Sequence, residues 1–120
     1  MPIVFTPHLV PMSRGILATI SAVLRVGVGQ EDVDAALDGA YATEPFVHVL
    51  PAGEFPRTKA LHGANTCQLS AVVDERTGRV LVTSVIDNLV KGAAGQALQN
   101  INVMFGLEET LGLDVIGVHP

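Results

Sequence analysis

The fold is decided by the stretch Ile86-Asp87-Asn88-Leu89-Val90-Lys91-Gly92-Ala93-Ala94-Gly95-Gln96, in which an apolar run ends and a helical pattern begins. The apolar run, residues 80–86, is typical of a strand. Asp87 and Asn88 are both favourable helix N-cap residues, because their side-chain oxygens can accept the free amide hydrogens of a first turn. The sequence therefore predicts a helix over about 88–105.

Apolar and amide side chains divide this predicted helix into two faces. The apolar face consists of Val90, Ala93, Ala94, Ala97, Ile101, Met104 and Phe105. The other face carries the amides Asn88, Gln96, Gln99, Asn100 and Asn102. Glycines inside a helix cost stability relative to alanine, so Gly92 and Gly95 indicate that another backbone or a ligand comes close. Two interpretations stay open: a polar or anionic ligand meets the amide face, or the helix packs tightly and that face is solvated.

The hydrophobic spacing in the rest of the sequence predicts an α+β domain with a mainly antiparallel or mixed sheet and two helices. Alternating apolar residues in Thr66–Asp74 and Arg79–Ile86, joined by a short turn, predict an antiparallel hairpin. The second helix is predicted over Gln30–Tyr41, with acidic residues in its first turn. Further predicted elements are strands at Pro2–Thr6, Ile16–Val26 and Phe46–Leu50, a helix stop at Gly106, and an irregular tail over Leu107–Pro120.

Bulk composition narrows the possible classes of protein. The 120 residues are enough for one domain or part of one, and 48% are hydrophobic while only 16% are charged. This apolar excess favours a surface that another subunit or domain covers. A net charge of −5 argues against nucleic-acid binding, and no run is long enough to span a membrane. The single cysteine, Cys67, fits a reducing cytoplasm, and no secretory signal is visible.

The residues alone provide no convincing catalytic set. Cys67 lies within a predicted strand, where a lone cysteine is usually a small core residue. The histidines lack metal-ligand spacing, so no metal site is predicted; they are His8, His48, His62 and His119. Arg14 lies where a loop enters a strand, and its planar guanidinium suits a carboxylate or phosphate group. A surface or loop-stapling role for Arg14 is the alternative.

Several motifs resemble one family. They are Phe5-Thr6-Pro7-His8-Leu9-Val10-Pro11-Met12-Ser13-Arg14-Gly15-Ile16-Leu17, Glu44-Pro45-Phe46-Val47, Pro56-Arg57-Thr58, Gly63-Ala64-Asn65, Asp87-Asn88-Leu89-Val90-Lys91-Gly92-Ala93-Ala94-Gly95-Gln96-Ala97, and Gly112-Leu113 with the ending Gly117-Val118. Together they resemble the C-terminal portion of N-acetyl-gamma-glutamyl-phosphate reductase, within the semialdehyde dehydrogenases. The resemblance implies a fold like the C-terminal domain of glyceraldehyde-3-phosphate dehydrogenase.

This resemblance implies an NADP-dependent oxidoreductase of arginine biosynthesis. Such enzymes reduce N-acetyl-glutamyl phosphate to the semialdehyde through a cysteine thioacyl intermediate, with a histidine as acid/base. By position, Asn88 matches the residue that approaches the nicotinamide end of the cofactor, and Arg14 matches an arginine expected to hold an anionic substrate group. Lys91 is a further candidate for electrostatic assistance, with a surface lysine as the alternative.

Compared with the family that it resembles, this sequence lacks three catalytic or cofactor-binding parts. The nucleophile segment Pro-Gly-Cys-Tyr, the Gly-x-His-x-His segment and the nucleotide-binding domain are absent from this sequence. Neither Cys67 nor His8 lies in the matching motif, so no catalytic residue is assigned. We therefore expect a partial catalytic and dimerisation domain that is inactive alone. Its last helix should pack on the nucleotide-binding domain, and the protein should be a cytoplasmic homo-oligomer.

Two other functions stay open at this stage. One is a non-catalytic oligomerisation or interaction module that keeps the dimer sheet. The other is part of a different semialdehyde dehydrogenase that acts on another acyl phosphate. A final helix enclosed by its own sheet, with Asn88 turned inward, would contradict the enzyme role.

Overall fold

The computed structural model describes residues 2–114. Its elements in chain order are β1 (Ile16–Val23), α1 (Gln30–Tyr41), β2 (Val47–Val49), a 3-10 helix (Thr58–Leu61), β3 (Cys67–Asp74), β4 (Arg79–Ile86), a π-helical turn (Val90–Ala94) and α2 (Gly95–Met104). The predicted ending Gly117-Val118, His119 and the last residues of the predicted tail lie outside the described residues. The α+β class is confirmed.

The four strands form one mixed sheet in the order β1-β4-β3-β2. The strand β4 pairs antiparallel with β1 on one side and with β3 on the other, and β2 pairs parallel with β3. Ile86, the last residue of β4, lies opposite both Ile16 and Cys67, the first residues of β1 and β3. The loops that precede β1 and β3 therefore meet the segment that follows β4 at one end of the sheet.

The sequence-predicted elements are confirmed where their pattern is local. The helix over Gln30–Tyr41 and the strand over Arg79–Ile86 have the predicted bounds, and the hairpin forms as expected. The strand predicted to reach residue 26 ends at Val23, and the strand predicted over Phe46–Leu50 contains only Val47–Val49.

The prediction of a strand over Pro2–Thr6 is wrong. This segment forms no strand and is exposed, with Phe5 84% accessible. A strand requires a neighbouring strand to satisfy its backbone groups, and no described strand pairs with this segment. Its apolar residues therefore reflect composition rather than pairing within residues 2–114.

Helix α1 begins with one half of a capping box and contacts the sheet. The backbone N–H of Gly29 donates to Asp32 Oδ2 at 2.9 Å, as in a capping box. Gln30 then contacts the sheet directly. Its Nε2 donates to Ala71 O at 3.1 Å and its Oε1 accepts from the backbone N–H of Val73 at 2.8 Å. One side chain thus satisfies strand β3 beyond the point where its pairing with β2 ends.

The helical segment after β4 begins with wide turns. The backbone N–H of Gly92 donates to Asp87 O at 2.8 Å and that of Ala94 donates to Leu89 O at 3.1 Å, both i to i−5. Gly106, at φ +68°, ends α2 with a Schellman pattern, since the N–H of Leu107 donates to Asn102 O at 2.8 Å. The predicted helix and its predicted stop are therefore confirmed.

The apolar core within residues 2–114 is small. It consists of Phe46, Leu61, Ala64, Leu69, Val85 and Leu113. Four polar residues are buried with it: Asn65, Ser70, Asp87 and Asn102. Buried polar groups require partners. Two of the four, Asn65 just before β3 and Asp87 just after β4, lie at the same end of the sheet.

Candidate functional site

Asp87 lies at the meeting point of three segments. It follows β4 directly, Arg14 precedes β1 and Gly63 lies in the loop before β3. The strand register brings these segments together, because residues 16 and 67 both lie opposite residue 86. The candidate site is therefore positioned by the sheet itself rather than by a single loop.

The Asp87 carboxylate is fully buried and bonded on both oxygens. Arg14 Nε lies 2.9 Å from Oδ1 and 2.8 Å from Oδ2, and the backbone N–H of Gly63 donates to Oδ2 at 2.6 Å. The backbone N–H groups of Leu89 and Val90 donate to Oδ1 at 2.8 and 3.2 Å. Asp87 thus accepts from the free N–H groups at the start of the helical segment, as predicted for Asp87-Asn88, and it also joins two distant loops.

These donors determine the charge of Asp87. Burial raises the pKa of the carboxyl, but hydrogen bonds from Arg14 and from the three backbone N–H groups lower it more. The resulting pKa of Asp87 is about 2, below its ordinary value of 3.8. The carboxylate is therefore ionised at neutral pH and forms a charge-assisted ion pair with Arg14.

Asn88 connects to the Arg14 loop through the next residue. The backbone N–H of Gly15 donates to Asn88 Oδ1 at 2.7 Å. Gly15 has φ +116°, and a Cβ there would lie 3.0 Å from the side chain of Thr58, so glycine is required at this contact. Asn88 is partly exposed, and within residues 2–114 its Nδ2 group has no hydrogen-bond partner. The carboxamide is held by its oxygen, and its amino group remains available.

Arg14 likewise has one bonded nitrogen and two nitrogens without a partner among residues 2–114. Its Nε is committed to Asp87, which is the stapling role that the sequence left open. The side chain is 32% exposed, and its two terminal nitrogens bond to no other group among residues 2–114. The structure brings Arg14 and Asn88, the two predicted site residues, to the same end of the sheet, and neither is sealed off.

The amides of α2 divide into two pairs: Gln96 and Asn100 bond to each other at an exposed position, while Gln99 and Asn102 bond to the chain itself. Gln99 Oε1 accepts from Lys91 Nζ at 2.7 Å and from Asn65 Nδ2 at 3.1 Å, and Gln99 Nε2 donates to Glu109 Oε1 at 2.6 Å. Buried Asn102 donates from Nδ2 to the backbone oxygens of residues 109 and 111. These two amides serve the chain's own tail and loops rather than a ligand or solvent.

The apolar face of the same helix is accordingly exposed. Ile101, Met104 and Phe105 are 47%, 79% and 75% accessible. The helix is therefore not enclosed by its own sheet. An enclosed helix would have contradicted the enzyme role. A turn of apolar side chains at this surface is typical of a helix face that another polypeptide covers.

The remaining sequence candidates lie apart from Asp87 or serve the fold. Lys91 Nζ lies 5.2 Å from the centre of the Phe46 ring, and burial lowers the pKa of Lys91 while Cys67, Glu109 and Glu44 oppose that shift. Cys67 Sγ lies 3.3 Å from Ser84 Oγ, within the sheet.

The histidines contribute no nucleophile–base arrangement. His8 lies in the exposed N-terminal segment, where its Nδ1 is 3.1 Å from Thr6 O, and His62 makes no side-chain hydrogen bond among residues 2–114. Across the same described residues no three His, Cys, Asp or Glu side chains cluster as metal ligands. Nor does any helix there have the length and apolar character needed to cross a membrane.

Sequence reasoning missed the wider roles of Asp87 and Gln99. Asp87 was identified only as a local cap, although its pairing with Arg14 spans 73 residues. Gln99 was grouped with the other amides of its helix, although three separate groups converge on its side chain. The cap pattern at Asp87 indicated where the helical segment begins. The distant partners of Asp87 depend on strand register, which the cap pattern does not contain.

Comparison with known proteins places this geometry in a family. A family model described as "Semialdehyde dehydrogenase, dimerisation domain" matches residues 1–88, which include Arg14, Asp87 and Asn88. The match covers β1 to β4 and ends where the helical segment begins.

Curated relatives named N-acetyl-gamma-glutamyl-phosphate reductase are similar over nearly the whole chain. The protein from Micrococcus luteus is 57% identical over 116 residues, 97% of this chain and 34% of the relative. The protein from Geobacter sp. (strain M21) is 56% identical over 118 residues, 98% of this chain and 34% of the relative. The protein from Heliobacterium modesticaldum is 51% identical over 122 residues, 100% of this chain and 35% of the relative.

The chain thus spans about a third of the length of these relatives. The predicted resemblance to the C-terminal portion of such reductases is confirmed by these identities and by the family match. On the family match over residues 1–88 and the mixed sheet that carries it, this chain belongs to the semialdehyde dehydrogenase dimerisation-domain family.

Proposed function

We propose that this chain supplies the C-terminal part of an NADP-dependent reductase in arginine biosynthesis. The reductase would convert N-acetyl-glutamyl phosphate into N-acetylglutamate semialdehyde. The observation that carries the proposal is identity of 51–57% over 97–100% of the chain with relatives named N-acetyl-gamma-glutamyl-phosphate reductase. We place the protein in the cytoplasm, where Cys67 would remain a reduced thiol.

Arg14 is the proposed anion-holding residue. Its Nε is fixed by Asp87, so the guanidinium plane has a defined orientation, and the terminal nitrogens stay available for a carboxylate or phosphate of the substrate. An arginine held on one edge loses less conformational entropy on binding than a free one. The substrate itself carries both kinds of anion, which fits this donor pair.

Asn88 is the proposed residue at the nicotinamide end of the cofactor. Asn88 is partly exposed and its Oδ1 accepts from Gly15. Its Nδ2 is a donor without a partner among residues 2–114, which fits an acceptor on the cofactor. NADPH would supply the hydride for the reduction. Asn88 would orient that group and would take no part in proton transfer, because a carboxamide does not titrate near neutrality.

The chain alone is proposed to be inactive. Cys67 Sγ contacts Ser84 inside the sheet, and no described histidine lies within hydrogen-bond distance of it. The groups that would form and resolve the covalent intermediate must therefore come from the rest of the reductase.

The test is a comparison of two purified proteins. The full-length protein that carries this segment should oxidise NADPH when N-acetyl-L-glutamyl phosphate is supplied, and the 120-residue chain should not. Absence of NADPH oxidation by the full-length protein would contradict the proposed activity. Oxidation by the 120-residue chain would contradict the assignment of the catalytic groups elsewhere.

An oligomerisation module without catalysis is the second candidate. The dimerisation-domain match and the exposed apolar residues of α2 favour it. It predicts self-association of the chain with no NADPH oxidation by the full-length protein. The same assay therefore separates the two candidates.

A further inference from the structure

One buried carboxylate contacts both halves of the proposed site. Asp87 accepts from Arg14, which we assign to the substrate, and from the backbone of Leu89 and Val90, which immediately follow Asn88. It also accepts from Gly63 in a third segment. No other described side chain bonds to all three of these segments.

We propose that Asp87 is a positioning residue that holds Arg14 and Asn88 in a fixed relation, so that substrate and cofactor bind at a set separation. This inference rests on the proposed function. Asp87 itself would touch neither ligand, because it is fully buried. Asp87 would fix the position of the Arg14 guanidinium through their ion pair. It would fix the position of Asn88 through its bonds to the first turn of the helical segment.

The chemistry of the four donors explains why an aspartate occupies this position. An ionised carboxylate is an acceptor on both oxygens, which matches one guanidinium N–H and three backbone N–H groups. An asparagine would direct its amino group at one of these donors and leave that donor unsatisfied. An apolar residue would leave the partly buried charge of Arg14 without its partner.

Helix capping alone does not account for these contacts. The cap requires only the N–H groups of Leu89 and Val90, yet Asp87 also binds Arg14 and Gly63, which are 73 and 24 residues away in sequence. The neighbouring contact between Gly15 and Asn88 repeats the same connection one residue further along both segments. Two adjacent residue pairs therefore lock the Arg14 loop to the start of the helix.

The test uses the full-length protein with Asp87→Asn, and Asp74→Asn as the matched control. Asp74 also ends a strand and pairs with an arginine, Arg76, but at an exposed turn. For Asp87→Asn we expect KM to rise by about tenfold for N-acetyl-L-glutamyl phosphate, and also to rise for NADPH. For Asp74→Asn we expect both constants to stay within about twofold of the unmodified protein.

A double variant separates positioning from a general loss of structure. If Asp87 acts through Arg14, then Asp87→Asn combined with Arg14→Gln should raise KM for the acyl phosphate no further than the larger single effect. Effects that multiply, or a KM for Asp87→Asn within about twofold of the unmodified protein, would overturn the proposal.

Arg14→Lys and the ¹⁵N NMR spectrum test the positioning role of Asp87 where Asp87→Asn cannot be assayed. If Asp87→Asn does not fold, Arg14→Lys retains the charge but removes the Nε donor, and it should raise KM for NADPH as well. An unchanged KM for NADPH would then overturn the coupling.

If the unmodified protein oxidises no NADPH, the proposed function fails, and the positioning role of Asp87 is tested by the ¹⁵N NMR spectrum. Asp87→Asn should shift the signals of Gly15 N–H and Arg14 Nε–H, and unshifted signals would refute the positioning role.

Discussion

Gly95 lies so close to Asn65 that a Cβ on residue 95 would collide with Asn65 Oδ1. Asn65 is buried, and its Oδ1 has no hydrogen-bond partner within residues 2–114. The oxygen therefore lies against the backbone of Gly95, in the space that a side chain at residue 95 would need. This pair fixes the loop before β3 against the start of α2.

The first prediction follows from this contact. Gly95→Ala would place a Cβ 2.7 Å from Val90 Cγ1 and closer still to Asn65, so neighbouring atoms must move. We expect the free energy of unfolding to fall by about 1–3 kcal/mol, as for overpacking elsewhere. Gly39→Ala is the matched control, because it lies in α1 with nothing within 4 Å of an added Cβ. It should stabilise by about 0.5–1 kcal/mol, and equal effects of the two substitutions in urea unfolding would contradict the argument.

The second prediction concerns acid and Asp87. The pKa of Asp87 is lowered from 3.8 to about 2, so its ionised form stabilises the fold above about pH 4 and that stability is lost as the pH falls towards 2. The shift corresponds to about 2 kcal/mol. Denaturant unfolding at pH 6 and pH 2.5 should show this loss in the unmodified chain and a smaller loss in Asp87→Asn. Identical pH dependence in both proteins would contradict the assignment.

The third prediction concerns the amide network. Gln99→Ala removes the acceptor of Lys91 Nζ and Asn65 Nδ2 together, and the donor to Glu109. We expect a loss of about 1–3 kcal/mol, since partly buried groups lose their partners. Gln96→Ala is the control on the same helix, because within residues 2–114 the Gln96 side chain bonds only to Asn100, at an exposed position. Its effect should lie within about 0.5 kcal/mol in thermal unfolding, and a loss as large as that of Gln99→Ala would argue against the network.

The fourth prediction concerns the exposed face of α2. Ile101→Lys with Phe105→Lys should reduce self-association of the 120-residue chain without lowering its melting temperature, because both side chains are already largely accessible. Light scattering across a concentration series measures the change. The control Asp38→Lys alters an exposed site on α1 and should leave association unchanged. A stable monomer before any substitution would contradict the prediction of association.

Sequence patterns were sufficient where structure depends on near neighbours. The hairpin and α1 depend on alternation, helical spacing and turn residues within a few positions, so their bounds were predicted closely. The cap at Asp87 was also readable, because capping involves residues two and three positions on.

Features that depend on distant pairing were not readable. The Arg14–Asp87 ion pair exists because β1 lies beside β4, and one sequence does not state that order. The partners of the α2 amides were not readable for a related reason. Helical spacing separates an amide face from an apolar face, but it does not show that Gln99 and Asn102 bond to residues of the tail.

The side chain of Gln30 has a consequence for how the sheet can grow. By bonding to Ala71 O and to the N–H of Val73, it occupies the part of the β3 edge that β2 leaves unpaired. Strand β1, at the opposite margin, has eight residues without a charge or proline and pairs only with β4 among the described strands. An incoming polypeptide backbone therefore finds an open edge of eight residues at β1, while the β3 positions beyond β2 are already taken by one glutamine side chain.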